Sequence, residues 1–172
     1  MSSSERDIED SFAASLALEE AGVAFFERAG AVTADPRVKL IFHRLARVKQ
    51  DHIKLLRDRG AAMGVRGTHT STAPAVYPTA AFARVECYVC GHSSIDIPDA
   101  CPQCGSARYA YEKEINKSMA WELAATSARA SATYLHSLEE RYPAGRPLLD
   151  PLRAAEEASA RESEAELARS KS

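Results

Sequence analysis

The stretch CYVCGHSSIDIPDACPQCG, residues 87–105, holds all four cysteines of a 172-residue chain. They fall in two pairs, Cys87-x-x-Cys90-Gly91 and Cys101-Pro102-x-Cys104-Gly105. Two thiolates three residues apart reach one ion, and the glycine after the second lets the backbone turn so that amides point at sulfur. Four cysteines within 18 residues, in a reducing compartment, mark a metal site and not a disulfide framework. Tetrahedral four-sulfur coordination suits Zn(II) or a single Fe(II)/Fe(III), and the spacing does not choose between them. The gap between the pairs leaves room for a small hairpin and little else.

On both sides of this knot the patterning is helical. Ile8, Phe12, Leu16, Val23 and Phe26 recur at helical spacing within a first segment, about Ser4 to Ala31. In the following TADP, Asp35 fits an N-cap and Pro36 the first helical position. A second helix, to about Met63, carries Val38, Ile41, Leu45, Val48 and Leu55. Residues 66–83 lose periodicity and are rich in Thr, Ala and Pro, as in a linker. A third helix is expected from near Glu112 to Glu140, with Ile115, Met119, Leu123, Ala130, Tyr134 and Leu138 on one face. RYPAGRP breaks it, and Asp150-Pro151 repeats the Asp35-Pro36 cap before a last helix to about Leu167, with a stripe of Leu149, Leu152, Ala155 and Ser159. The reading is mainly α: helices at 1–65 and 112–172, a linker at 66–83 and a four-cysteine module at 84–111. Four long helices in two hairpins, joined by a long connection, argue for a four-helix bundle.

Composition narrows the function. Apolar residues make up 45% and alanine dominates them, which suits packed helices. The formal charge of −2 offers no basic field for nucleic acid. No apolar run approaches the ~20 residues of a membrane span, and MSSSERDIEDSF lacks the apolar middle of a secretory signal. A cytoplasmic protein is expected.

CYVCGHSSIDIPDACPQCG followed by SARYAY resembles the rubredoxin-like module of rubrerythrins, and EEAGVAFFERAGAVTADPRVKLIFHRLARVKQDHIKLL resembles half of a ferritin-like bundle. The resemblance implies a ferritin-like four-helix bundle with a rubredoxin-like insert between helices 2 and 3. It implies one iron at Cys87, Cys90, Cys101 and Cys104 that passes electrons, in peroxide or oxygen defence, and a homodimer in which one subunit's module reaches the other's bundle. The insert departs from the family's usual terminal placement of the module.

The same resemblance implies a diiron site made by a Glu from each of two helices and a Glu-x-x-His from each of the other two. Glu19 matches the first-helix ligand and His52 the second-helix histidine, but Lys49, not glutamate, precedes His52 by three. The third-helix place falls near Ser127, with Glu122 the nearest acid upstream, and Glu162 matches the fourth helix although Ala165 follows it. No Glu-x-x-His occurs anywhere in the chain. At most Glu19, His52 and Glu162 remain, and Lys49 is expected to pair with Glu19 in place of metal. Such a chain is not itself a competent peroxidase, and it would deliver electrons to a redox partner protein. The other class of function is a non-enzymatic assembly or interaction protein whose knot holds zinc.

Blander readings apply elsewhere. His43, His69, His92 and His136 are each isolated from other ligand types at useful spacing. EEASARESEAEL, residues 156–167, reads as a solvated helix face. Tyr88, Tyr109 and Tyr111 suit the module's own core, and Trp121 a bundle or interface anchor.

Overall fold

The computed structural model describes residues 2–65 and 71–171. His69 and the first part of the expected linker lie outside them. Four helices carry the fold: α1 Ser3–Val32, α2 Pro36–Ala62, α3 Lys117–Arg141 and α4 Arg146–Ser170. Among the described residues no helix is long and apolar enough to cross a membrane.

Local chemistry sets the helix ends. Ser2 and Glu5 form a capping box at the start of α1, and the Asp35 carboxylate accepts from the Arg37 amide at the start of α2. Asn116 caps α3 by accepting from the Met119 amide, so this helix begins five residues after the expected Glu112. Asp150-Pro151 is not a cap. It lies inside α4, which begins at Arg146 with Pro147 in its first turn. Pro151 has no N–H to give to the Pro147 carbonyl. Arg59 of α2 donates to that carbonyl instead, Nη1 to O at 3.0 Å.

The helices pack as two antiparallel hairpins, α1 with α2 and α3 with α4. Phe12 lies beside Gly60, Glu19 beside His52 and Gly30 beside His43, so numbers fall along α2 as they rise along α1. Contacts of α2 with α4 also run in opposite directions: Arg44 to Glu162, Lys49 to Glu156, Arg59 to Pro147. Hence α1 and α4 are parallel, as are α2 and α3, and the connection from α2 to α3 must travel the length of the helices.

That connection is anchored at two positions among its described residues. Tyr77 and Phe82 are both buried, against Phe25 and Phe26 of α1. The Arg28 guanidinium donates to the Phe82 carbonyl at 2.7 Å and to the Ile95 carbonyl in the module. The segment leaving the module is stitched to the α1–α2 turn, Lys113 N–H to Val32 O at 2.7 Å and Ala34 N–H to Lys113 O at 3.1 Å. The module is thus fastened to the C-terminal end of its own α1. Residues 76–83 are held to α1 by buried Tyr77 and Phe82 and by the Arg28 bond.

The buried faces differ from the apolar stripes by about one residue. In α2 the line is Val38, Phe42, Ala46, Lys49, His52 and Leu56; in α4 it is Leu149, Leu152, Glu156, Ala160 and Ser163. In α3 it is small: Ala120, Ala124, Ser127, Ala128 and Ser131, then Leu135 and Leu138, while Met119 is exposed. Small side chains let a neighbouring element approach closely, and Tyr77 fills that space, its hydroxyl 3.2 Å from Ser131 Oγ.

Candidate metal centre

Strand β1, Val85–Glu86, pairs antiparallel with β2, Ser93–Ser94, and Ala100 bridges Ala107. The two knuckles between these pairs repeat one design. Cys87 N–H bonds His92 O at 2.9 Å and Gly91 N–H bonds Cys87 O at 2.7 Å; Cys101 N–H bonds Ser106 O at 2.7 Å and Gly105 N–H bonds Cys101 O at 2.8 Å. Gly91 and Gly105 have φ of 77° and 74°, the left-handed region that a Cβ disfavours.

These turns bring all four sulfurs together. Cys87 Sγ lies 3.8 Å from Cys104 Sγ, and Cys90 Sγ lies 3.6 Å from Cys101 Sγ. Thiolates held at about 2.3 Å by one tetrahedral ion stand about 3.8 Å apart, so the donor set fits a single four-sulfur ion. A disulfide, at about 2.05 Å between sulfurs, is excluded in this arrangement. Cys87 and Cys101 are buried; Cys90 and Cys104 are exposed. Burial disfavours the Cys101 thiolate, but its polar surroundings, the amides of Cys104 and Gln103 among them, outweigh it and draw the thiol down to about 6. Of the three tyrosines expected in the module core, only Tyr111 is there; Tyr88 and Tyr109 are more than two-thirds exposed, at 68% and 67%.

A second cluster lies between the helices. Glu19 of α1, His52 of α2 and Glu156 of α4 offer ligand atoms within 4.8 Å of one another. Lys49 Nζ lies 3.3 Å from Glu19 Oε2, the pairing read from the sequence, and closer still to Glu156 Oε1. His52 Nδ1 lies 3.0 Å from Glu19 Oε2 and 3.2 Å from Glu156 Oε1. All four side chains are buried. Burial pushes the Lys49 and His52 pKa values down, but the two carboxylates outweigh it: His52 rises to about 9 and Lys49 rises as well. Burial likewise disfavours the Glu156 carboxylate, and Lys49 and His52 more than offset this. Lys49 and His52 thus face Glu19 and Glu156 in one buried cluster.

Glu162 does not join this group. It lies on the surface in an ion pair with Arg44, its side chain 59% exposed. Glu156, which opens the run read as a solvated face, takes the fourth-helix position. Its signal in the sequence was its spacing, four residues after Leu152 and before Ala160. Ser127 is buried with no partner for its hydroxyl, and α3 adds no acid to the cluster. The other histidines stay apart from both groups among the described residues. His136 pairs with buried Glu139 and exposed Glu140, and His92 contributes its carbonyl to the first knuckle.

Helical hairpins carrying a four-cysteine cluster whose spacing suits a metal ion therefore define the class of protein. No family model, curated protein or solved structure matches the chain.

Proposed function

We propose that this chain is a rubrerythrin-like iron protein that transfers electrons through one ion held by Cys87, Cys90, Cys101 and Cys104. The observation that carries the reading is the four-sulfur cage with one sulfur pair at the surface. Bound there, iron supplies one-electron ferrous/ferric chemistry. The chain's own residues shape access: buried Cys87 and Cys101 exclude water on the inner side, and exposed Cys90 and Cys104 give the short path outward. Helix directions, with α2 parallel to α3 across a long crossover, support a ferritin-like four-helix bundle around the insert. Without a Glu-x-x-His in the chain, the helices supply no diiron centre, so electrons pass to a separate redox partner, in a peroxide or oxygen defence within the cytoplasm. The family resemblance adds a homodimer.

One observation favours a second reading. The module's exit is hydrogen-bonded to the α1–α2 turn through Lys113, as a brace would be. In that reading the ion is zinc and the chain is a non-enzymatic structural or interaction protein. Purification from the native source, with metal analysis and visible spectroscopy, separates them. Iron gives a red ferric chromophore that bleaches reversibly on reduction, and one iron per chain is expected. Colourless protein with one zinc per chain would reject electron transfer.

A further inference from the structure

His52 Nδ1 is 3.0 Å from Glu19 Oε2 and 3.2 Å from Glu156 Oε1. Donor atoms held at about 2.1 Å from one ion, at right angles, stand about 3.0 Å apart. The two separations are therefore those of a coordination shell as well as of hydrogen bonds. The same two oxygens are shared by Lys49 Nζ. We infer that the helices retain a single-cation site of Glu19, His52 and Glu156, and that the Lys49 ammonium is its resident cation and excludes a divalent metal ion.

Four observations support this. The Lys49 side chain is only 6% exposed, so its ammonium has no alternative partner in solvent. Its stem is also fixed. A Cβ at Gly22 would stand 3.2 Å from Lys49 Cδ and 2.6 Å from the Tyr77 hydroxyl, so α1 gives up a side chain where the lysine and Tyr77 pass. The ammonium also lies 5.7 Å from the centroid of the Tyr77 ring, which closes the site from the crossover side. Finally, Glu19 Oε1 is buried with no hydrogen-bond partner. One ammonium leaves that oxygen unused, whereas a metal shell can take both oxygens of a carboxylate. Without Lys49, two buried carboxylates would share only His52, which is strongly disfavoured, so the lysine and a metal ion are alternatives at one place. Two carboxylates and an imidazole suit a hard first-row divalent ion such as Mn(II). The inference goes beyond the electron-transfer reading and holds whichever ion the cysteines carry.

The test uses full-length protein with the cysteine module preloaded with Zn(II), so that the identity of its native metal does not enter. Mn(II) binding is followed by electron paramagnetic resonance in the wild type, Lys49→Met, Lys49→Gln and Lys49→Met/Glu19→Gln. The expected result is no bound Mn(II) in the wild type and one per chain in both single variants. The double variant should lose it, and Mn(II) should raise the melting temperature of the single variants only. If a single variant is unfolded without metal, refolding on Mn(II) addition is the equivalent positive result. One Mn(II) in the wild type that Glu19→Gln abolishes would show that the lysine does not hold the place. Folded single variants that bind none, or unfolded ones that Mn(II) does not refold, would show that the cluster is not a cation site.

Discussion

Raising the pH from about 6 to about 9.5 should remove about 3 kcal/mol of folding stability through His52 alone. His52 is buried between Glu19 and Glu156, and its pKa in the fold is about 9 against an ordinary 6.5. A raised pKa means the folded protein holds the proton more tightly than the unfolded chain. That stability is complete below 6.5 and is lost as the pH passes through 9. At about 1.4 kcal/mol per pH unit, the gap is worth about 3 kcal/mol. Lys49, raised further, keeps its charge across this window and adds no slope. The assay is urea unfolding of zinc-loaded protein followed by far-ultraviolet circular dichroism, in parallel for the wild type and His52→Gln. The variant removes the titration while keeping a side chain of similar size. The difference between the two should shrink by about 3 kcal/mol between about pH 6 and about pH 9.5. A constant difference across the range would mean that His52 is neutral in the fold, and the charge-balanced picture of the cluster would fail.

Other substitutions probe separate parts of the structure. Gly22→Ala should destabilise by about 1–3 kcal/mol in urea unfolding, although alanine is the better helix former, because its Cβ would meet the Tyr77 hydroxyl at 2.6 Å. Gly91→Ala and Gly105→Ala should each weaken metal retention against a chelator, with a backbone cost of about 1–2 kcal/mol at φ of 77° and 74°. A chelator challenge that leaves both variants like the wild type would show that the knuckles do not need those turns. Arg59→Met should cost about 1 kcal/mol, by leaving the Pro147 carbonyl in α4 without its donor, and a thermal melt unchanged from wild type would contradict that role.

Much of the cysteine site was readable from the chain alone, because its determinants are local. Two Cys-x-x-Cys-Gly turns fix the sulfur positions through bonds within six residues, such as Cys87 N–H to His92 O. The helices were readable too, from caps and periodicity. Their inward faces were less so. Reading apolar residues alone selected Val48 in α2 and Ala155 in α4, each one residue before the charged side chain that is buried, Lys49 and Glu156. An isolated lysine or glutamate is costly inside a core, and a sequence pattern assigns it to solvent. What makes these burials tolerable is the opposite charge on another helix, 107 residues away for Lys49 and Glu156. The α4 start was missed for a related reason: Asp-Pro is a good cap signal, but Arg59 of another helix supplies the donor that lets Pro151 sit inside.

Glu19, Lys49 and His52 were singled out as residues, yet their sequence gave no measure of how close they stand. Tyr77 lay in a stretch of Thr, Ala and Pro that reads as a tether, and only Gly22 of α1 and Ser131 of α3 together make a place for it. The amino-acid sequence by itself determined a helical protein with one four-cysteine cluster of metal-ligand spacing, since capping, periodicity and Cys-x-x-Cys-Gly turns act over a few residues. Only the tertiary structure decided that Glu156 and not Glu162 completes the inner cluster, and that a lysine lies at its centre. That choice depends on the rotation of α4 against α2, which long-range packing and charge pairing set together.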